Sequence, residues 1–248
     1  MSTQNTATIH RVVLGEGRPK IIVPLMPSTP DEAQAALDTL HGAPADLIEW
    51  RVDHVADPER AIAVGFALRA GTPLPILLTY RTDREGGLGS LPDDAYAALV
   101  ARLATLGLAD AVDVEYRRDA EAVAAIVAAA HGAGLPVVGS FHDFDATPAR
   151  EDIVGHLRAQ AAAGADILKI AVTPQSAADV ATLLAAAADA QAIGRPVIAI
   201  SMGELGLVSR VAAETFGGCA TFASTGQASA PGQIEASTLA PLLELFAR

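Results

Sequence analysis

The chain has 248 residues, 51% of them hydrophobic, which is enough for a sizeable core in one large domain or two small ones. Its net charge of −12 argues against non-specific binding to nucleic acid or to an anionic membrane surface. The only cysteine, Cys219, excludes an intramolecular disulfide and fits a reducing compartment, so we expect a cytoplasmic protein. The N-terminus is too polar for a signal peptide, and no apolar run reaches the ~18 residues of a membrane span.

Short runs of apolar, often β-branched residues alternate with longer segments rich in Ala and Leu from one end of the chain to the other. Most of the runs are continuously apolar, as expected of parallel strands that are covered on both faces. In chain order the predicted strands are Ile21–Met26, Leu47–Asp53, Ile76–Arg81, Ala111–Tyr116, Pro136–His142, Ile167–Val172, Pro196–Met202 and Cys219–Ala223.

Eight units of strand and helix predict an α/β fold, a closed (β/α)8 TIM barrel in which residues 1–248 form a single domain. An open, doubly wound sheet is the alternative. Against it, no G-x-G-x-x-G motif follows the first strand, and Gly15-Glu16-Gly17 precedes that strand without opening a helix.

Local signals place a hairpin and several helix starts. Residues His10–Val13 predict one short strand of a hairpin, with Gly15-Glu16-Gly17 in its turn, that would close the N-terminal end of a barrel. Thr29-Pro30 and Thr147-Pro148 each predict a helix start, because a hydroxyl can cap the first turn and proline suits its first position. Ser176 predicts a third cap.

Lys169 is the most informative residue of the chain. It is one of two lysines among seventeen cationic residues and lies within the apolar run Asp166–Val172. A buried ammonium without a partner is costly, so burial favours the neutral amine. A neutral lysine can condense with a ketone to form a Schiff base. Lys169 is therefore a candidate nucleophile, although a strand lysine can also be an edge or surface residue.

Polar residues gather where the predicted strands end: Glu49, Arg51, Asp53, His54, Arg81, Arg84, Glu85, Asp113, Glu115, His142, Asp143, Glu204 and Arg210. In a barrel, the C-terminal ends of the strands carry the active site. His142 and Lys169 lie on consecutive strands, so their side chains can meet. A Schiff-base lysine beside a histidine base suits removal of a proton next to a carbonyl.

Structural roles remain possible for each of these groups. His142 could bond its own turn, and Glu49 and Arg51 could form a purely structural ion pair at i, i+2 on one strand face. Arg81 could bind a backbone carbonyl, while the carboxylates of the fourth strand are expected to hold cations in place. No set of His, Cys and carboxylates has metal-ligand spacing, so we expect no metal.

Short motifs run in a fixed order from near the N-terminus to residue 234: Gly15-Glu16-Gly17, Glu49-Trp50-Arg51-Val52-Asp53-His54, Thr79-Tyr80-Arg81, Glu85-Gly86-Gly87, Ser140-Phe141-His142-Asp143-Phe144, Lys169-Ile170-Ala171-Val172, Ser209-Arg210 and Ser229-Ala230-Pro231-Gly232-Gln233-Ile234. Any one motif is weak. As an ordered set they resemble type I 3-dehydroquinate dehydratase, the Schiff-base enzyme of the shikimate pathway, whose fold is also a (β/α)8 barrel.

The resemblance implies a hydro-lyase that removes water from 3-dehydroquinate to give 3-dehydroshikimate, a step of aromatic amino acid biosynthesis. Lys169 matches the lysine that forms an imine with the C3 ketone. His142 matches the base that removes a C2 proton and then helps the C1 hydroxyl to leave, and Glu85 matches the acid that positions it. The expected histidine titrates near neutrality and therefore serves as base and acid.

The resemblance also implies two groups of substrate-binding residues. Three match groups that hold the substrate carboxylate, the last two on the loop after strand eight: Arg210, Ser229 and Gln233. Three match residues that line the pocket and hold substrate hydroxyls and charge: Glu49, Arg51 and Arg81. No cofactor is implied, the only partner besides the small-molecule substrate is a second copy in a homodimer, and the two pocket arginines are expected to help keep Lys169 unprotonated.

Two other functions remain open from the residues themselves. A class I aldolase uses the same lysine chemistry on a phosphorylated substrate, and a phosphate-binding glycine turn after the last two strands would distinguish it. The segment Ser224–Gln233 is more typical of a lid over a carboxylate. A non-catalytic barrel that binds a small acid is the third possibility, and the joint presence of lysine, histidine and arginine argues against it.

Overall fold

The computed structural model describes residues 5–226 and 228–247. A two-stranded antiparallel hairpin, β1 (Ala7–Ile9) and β2 (Val12–Leu14), precedes the main sheet. The parallel strands of the main sheet within the described residues are β3 (Lys20–Leu25), β4 (Leu47–Arg51), β5 (Ile76–Thr79), β6 (Ala111–Glu115), β7 (Val137–Asp143), β8 (Ile167–Val172), β9 (Val197–Ser201), β10 (Ala220–Ser224) and the short β11 (Ile234–Glu235).

A helix follows each of the strands β3 to β9, and α8 follows β10 and β11. The helices are α1 (Pro30–Leu40), α2 (Pro58–Gly71), α3 (Asp93–Thr105), α4 (Ala120–Gly132), α5 (Arg150–Ala162), α6 (Ala177–Ala190), α7 (Leu207–Val211) and α8 (Ala236–Phe246). Over the part of the chain that the structure describes, none of the helices has the length and apolar character needed to cross a bilayer.

The main sheet closes on itself. Neighbouring strands follow chain order from β3 to β9, and β10 returns to pair in parallel with β3. At the seam between β9 and β10, Val197 bridges Gly218, and the Cys219 N–H donates to the Val197 carbonyl at 2.8 Å. The predicted (β/α)8 TIM barrel is confirmed and the open sheet is excluded, because an open sheet would leave its two outer strands unpaired.

The eight predicted barrel strands all form, and their ends differ from the prediction by one or two residues. The largest differences are at β4 and β5, which each end two residues early. β4 ends at Arg51 because Val52–His54 turn into a short 3₁₀ helix, and β5 ends at Thr79. Asp53 lies in that 3₁₀ turn, within hydrogen-bond distance of Arg51. β8 has the predicted bounds.

The N-terminal hairpin exists, but its predicted details are wrong. Its turn is His10–Arg11, where His10 takes a positive φ of 53°, and the glycines lie after the hairpin. Gly15 has φ of 87°, and a Cβ there would lie 2.1 Å from the Asn5 carbonyl oxygen. The glycine is therefore needed where the chain leaves the hairpin and passes close to its own beginning.

The hairpin closes the N-terminal end of the barrel. Ile9 and Leu14 are buried in one apolar cluster with the inward-facing residues at the starts of the strands, among them Leu47, Leu77 and Ile167. Helices and strands enclose two further apolar clusters outside the barrel wall. The opposite end of the barrel has no such plug among the described residues, and many of its inward-facing side chains are charged.

Candidate active site

Strand alternation builds the polar end of the barrel. Side chains two residues apart on a strand point to the same side of the sheet. On β8, Ile167 belongs to the apolar floor, and Lys169 therefore points inward one layer above it. On β4, Leu47 is likewise followed inward by Glu49 and then Arg51. Apolar residues thus fill the bottom of the barrel, and charged residues line its mouth.

A cavity that opens to solvent lies at these C-terminal strand ends, and the empty space in it and at its opening is about 530 Å³. It is lined by all the residues that the sequence analysis proposed for catalysis or substrate binding: Glu49, Arg51, Arg81, Glu85, His142, Lys169, Arg210, Ser229 and Gln233. The folded chain thus brings together side chains from β4, β7 and β8, from the segments that follow β5 and β9, and from the loop before α8. Apolar groups complete the wall, among them Met202 and Phe222.

Lys169 is buried, with 4% of its surface exposed, and its amine has partners. Its Nζ lies 3.1 Å from Asp113 Oδ2 and 3.6 Å from Glu49 Oε1. The same nitrogen lies 4.5 Å from the centroid of the Phe222 ring. Two carboxylates and an aromatic face thus surround the nitrogen. The same groups would stabilise a positively charged imine formed at that position.

His142 faces the cavity with its second nitrogen. Its Nδ1 lies 2.8 Å from Glu85 Oε2, which leaves Nε2 for a substrate. Burial and the nearby charges of Arg81, Lys169 and Arg51 lower the pKa of His142 well below its usual value of 6.5. The expected titration near neutrality is therefore wrong in direction, and the imidazole is held in its neutral, basic form. Burial also raises the pKa of Glu85 to about 8.

Arg81 connects the histidine and lysine sides of the cavity through protein contacts. Its guanidinium donates to Asp113 at 2.6 Å, to Glu85 at 3.1 Å and to Glu115 at 3.2 Å, and also to the Ser140 hydroxyl. Asp113 in turn bonds Lys169, and Glu85 bonds His142. Arg81 therefore organises the carboxylates around the reacting groups as well as lining the cavity.

Arg51 is fixed by the turn that follows its own strand. Asp53 accepts two hydrogen bonds from its guanidinium, at 2.8 and 2.7 Å. Asp53 also accepts the backbone N–H groups of Arg81 and Leu88, which join two loops at the mouth. Arg51 and Arg81 are thus each paired with at least one carboxylate. Their expected role in keeping Lys169 unprotonated has no contact to support it.

Arg210 is the exception among the cavity arginines. It is 1% exposed, and the structure records no ion pair between it and a described carboxylate. Its guanidinium donates to the carbonyls of Phe222 and Pro231, and its Nε has no hydrogen-bond partner within the described part of the chain. Desolvation lowers the pKa of Arg210 to about 10. A buried cation without an anion is costly, and a substrate carboxylate in the cavity would compensate for it.

The loop before α8 covers the cavity beside Arg210. The Ser229 N–H donates to Gln233 Oε1 at 2.9 Å, and Gln233 Nε2 donates to the Ser229 hydroxyl at 3.0 Å. Pro231 accepts hydrogen bonds from Arg210 and from the N–H of Gly203. The predicted lid over the barrel mouth therefore lies in contact with the loop after β9.

Sequence reasoning missed several side chains of the site. Thr79 donates to Glu49 at 2.9 Å, and the Ser140 hydroxyl donates to Asp113 at 2.6 Å, so each orients a carboxylate next to Lys169. Phe222 lies under the amine. The period of two along a strand could have found all three, because each lies two residues from another inward-facing position.

Within residues 5–226 and 228–247, no cluster of three or more His, Cys, Asp or Glu side chains could hold a metal ion. What the cavity offers is an amine, a neutral imidazole and an unpaired guanidinium at the open end of a (β/α)8 barrel. Such a constellation can bind a small carboxylic acid, attack its carbonyl and move a proton beside it. Fold and site place the chain in the class of barrel enzymes that act on small molecules at the C-terminal ends of the strands.

The chain belongs to the type I 3-dehydroquinase family, whose sequence profile, "Type I 3-dehydroquinase", matches residues 21–248. It is 44% identical to a 3-dehydroquinate dehydratase of Klebsiella pneumoniae over 98% of this chain and 99% of the relative. The identity is also 44% to the enzyme of Lactiplantibacillus plantarum, over 97% and 98% of the two chains. The aldolase alternative is therefore not favoured.

Solved structures agree with the family assignment. A type I 3-dehydroquinate dehydratase from Clostridium difficile, solved with covalently modified comenic acid, superposes with a TM-score of 0.93 at 36% identity and covers 98% of both chains. The Geobacillus kaustophilus enzyme superposes with a TM-score of 0.91 at 33% identity, over 97% of this chain and 95% of the other. The similarity extends over the barrel and its N-terminal plug.

Proposed function

We propose that Lys169 forms an imine with the C3 ketone of 3-dehydroquinate and that His142 moves the protons of the elimination. The chain is a 3-dehydroquinate dehydratase, a hydro-lyase that converts 3-dehydroquinate to 3-dehydroshikimate in aromatic biosynthesis. The observation that carries the residue assignment is the placement of Lys169. It is a buried amine between two carboxylates, in the same cavity as a neutral histidine and an unpaired guanidinium.

The first step requires the amine to lose a proton and attack the ketone. Asp113 and Glu49 lie close enough to Lys169 Nζ to accept that proton. Loss of water from the addition product leaves a protonated imine between the same two carboxylates. The two carboxylates are therefore already in place to stabilise the positive charge of the imine, which avoids reorganisation.

Elimination then proceeds through the histidine. Nε2 of neutral His142 takes a C2 proton, and the electron pair moves into the C2–C3 bond to give an enamine. The enamine nitrogen then re-forms the protonated imine, and the C2–C3 electron pair moves to form the C1–C2 double bond. The C1–O bond breaks as His142 donates its proton to the departing hydroxyl, which leaves as water. Glu85, hydrogen-bonded to Nδ1, fixes the orientation of the ring through these steps. Hydrolysis of the conjugated imine releases the product and the amine.

Substrate binding divides between the two sides of the cavity. Arg210, Ser229 and Gln233 would hold the carboxylate under the lid, because Arg210 lacks an anion among the described residues and the other two face it from the loop. Glu49, Arg51 and Arg81 would hold hydroxyls and charge at the opposite wall. A bidentate guanidinium suits a carboxylate particularly well.

The chemistry can be tested by following the conjugated enone-acid product by its ultraviolet absorbance. We expect Lys169→Ala to lose nearly all turnover while its circular dichroism matches wild type. We expect His142→Ala to form the imine but to release water far more slowly. A near-normal kcat in the lysine variant would remove Lys169 from the mechanism, and unimpaired dehydration in the histidine variant would dismiss His142 as the base.

We further propose a homodimer in the cytoplasm. Support for a second copy comes from exposed apolar side chains on and before α7, Leu205, Leu207 and Val208, which solvent alone would cover poorly. The buried thiol of Cys219 supports a reducing compartment. Sedimentation equilibrium tests the dimer, and a monomer at micromolar concentration would contradict it.

A further inference from the structure

The backbone of Lys169 is held by a side chain from outside the barrel. Gln160 lies on α5 and is fully buried. Its Oε1 accepts the Lys169 N–H at 3.0 Å, and its Nε2 donates to the Lys169 carbonyl at 2.8 Å. One amide side chain therefore satisfies both backbone polar groups of the residue that carries the reactive amine.

Gln160 occupies a position where the helix would ordinarily carry an aliphatic residue. The buried face of α5 includes Ile153 and Leu157, and Gln160 continues it at the spacing i, i+4, i+7. A buried amide is costly unless its donor and acceptor are both bonded. Both the donor and the acceptor of the Gln160 amide are bonded here, and both partners are backbone groups of Lys169. The contact with Lys169 therefore explains why a buried polar side chain is tolerated at this position.

The strand next to β8 is shaped to admit this amide. Gly139 on β7 adjoins Gln160, and a Cβ there would lie 3.0 Å from the Gln160 Cβ and 2.7 Å from the Ala165 Cβ. The Ala165 N–H also donates to the Gln160 carbonyl at 3.1 Å, which fixes the end of α5. The glycine on β7 leaves room for the glutamine side chain, and the hydrogen bond at the end of α5 fixes its backbone. Together they hold Gln160 in one position.

We propose that Gln160 is a positioning residue for Lys169, and that its amide fixes the base of the lysine side chain for attack on the substrate carbonyl. The inference rests on the proposed role of Lys169. A lysine side chain has four flexible methylene groups. Nζ can therefore keep its distances of 3.1 Å to Asp113 and 3.6 Å to Glu49 only if the Lys169 backbone is held in place. Misplacement of a reacting group by about 1 Å can cost about 100-fold in rate.

The test replaces the glutamine by methionine, which keeps its length and removes both hydrogen bonds. For Gln160→Met we expect kcat, and the rate at which borohydride traps the imine in a single turnover, to fall about 10-fold or more. We expect KM to stay within about twofold, because Gln160 does not line the cavity where substrate binds. A residue needed only for stability would leave both rates unchanged below the melting temperature.

Gln191 provides the matched control. Its Nε2 donates to the carbonyls of Ala187 and Gly217, so Gln191→Met also loses two amide hydrogen bonds, at a place remote from the cavity. We expect this variant to lose stability with unchanged kcat. Equal kcat in wild type and Gln160→Met, both folded, would overturn the inference.

Gly139→Ala decides the matter if Gln160→Met does not fold. It keeps the glutamine but places a methyl group against its stem, so the same fall in kcat with little change in KM is expected; an unchanged kcat would overturn the inference. The proposed function fails separately, since it requires wild-type enzyme to be trapped at Lys169 whatever the Gln160 variants do.

Discussion

Arg210 is a buried guanidinium that faces the cavity with two backbone carbonyls and no described carboxylate as partners. The other two cavity arginines, Arg51 and Arg81, each have at least one carboxylate within hydrogen-bond distance. Arg210 is therefore free to bind a ligand anion, whereas Arg51 and Arg81 form ion pairs within the protein. Desolvation without compensation is what lowers the pKa of Arg210.

Removing this cation tests the carboxylate site. For Arg210→Gln we expect KM to rise roughly 10- to 100-fold, because a charged hydrogen bond is worth about 1.5–3 kcal/mol. We expect the free energy of unfolding of the unliganded protein not to fall, because an unpaired buried charge is removed. Arg150→Gln, which alters an exposed pair with Asp189, is the control and should leave KM unchanged. An unchanged KM in Arg210→Gln would contradict the carboxylate assignment.

His142 makes a second prediction at the scale of one residue. Because burial lowers its pKa in the folded state, the imidazole should remain neutral as the pH falls through 6.5. The unfolded imidazole takes up its proton there, so this contribution to stability is complete above pH 6.5 and is lost progressively as the pH falls from 6.5 to the lower pKa of the folded state. Imidazole nitrogen shifts in ¹⁵N NMR, assigned with His142→Gln, should show this midpoint below 6.5. A midpoint at or above 6.5 would mean that the folded enzyme favours the imidazolium.

The lid before α8 is seated by a close contact between two glycines. Gly232 has φ of 72°, and a Cβ there would lie 2.3 Å from the carbonyl oxygen of Gly203. The neighbouring Pro231 carbonyl accepts hydrogen bonds from Gly203 and Arg210. The lid and the proposed carboxylate site are thus parts of one contact, and displacing the first should disturb the second.

Gly232→Ala should keep the lid from seating. We expect KM to rise about 10-fold, since the loop carries two proposed carboxylate ligands and a lost hydrogen bond to a charged group is worth about 1.5–3 kcal/mol. Gly226→Ala is a matched control, because Gly226 also has a positive φ, 91°, but no described atom lies within 4 Å of the place that a Cβ would take there. Both variants carry the cost of a left-handed alanine, so equal KM values in the two would contradict the seating contact.

Helix starts show what local sequence does and does not determine. Thr29 caps α1 and Ser176 forms a capping box with Asp179 at the start of α6, as predicted. The prediction at Thr147-Pro148 is wrong, because α5 begins only at Arg150. The Thr147 hydroxyl donates to the carbonyl of Thr173 on the next loop, a tertiary contact that no local pattern contains.

The whole molecule separates stability from chemistry along the barrel axis. The N-terminal end is an apolar floor closed by the hairpin, and the C-terminal end holds the charged network. Loss of a methylene group at the floor leaves a cavity that the rigid strands cannot collapse to fill. Because the two ends are far apart, we expect substitutions in the apolar floor to lower the free energy of unfolding and to leave kcat and KM unchanged.

Leu14→Ala tests this division. The side chain is fully buried, so we expect the free energy of unfolding in urea to fall by about 2–5 kcal/mol, with kcat at 25 °C unchanged. We also propose that barrel and plug form a single domain, which predicts one cooperative transition in both wild type and variant. Two separated transitions would contradict the single domain, and a fall in kcat would contradict the separation of floor and mouth.

The sequence was sufficient for the barrel and for most of the charged residues that line its mouth, but not for the cavity-lining Phe222 or for Thr79 and Ser140, which orient carboxylates of the site. Eight apolar runs separated by helical segments leave few topologies, and the ends of parallel strands meet at one edge. It was not sufficient for the charge balance within the site. Asp113 and Glu49 lie 64 residues apart in the chain and reach Lys169 only because the sheet closes. The pKa of His142 depends on such buried charges, which no local pattern of the sequence contains.

The most direct test is reduction of the enzyme with borohydride in the presence of 3-dehydroquinate, followed by mass mapping of the peptides. The chain has only two lysines, and the other, Lys20, donates to backbone carbonyls at the start of β3, at the end of the barrel away from the cavity. We predict a reduced adduct on Lys169 and none on Lys20. An adduct elsewhere, or none while turnover continues, would contradict the imine mechanism.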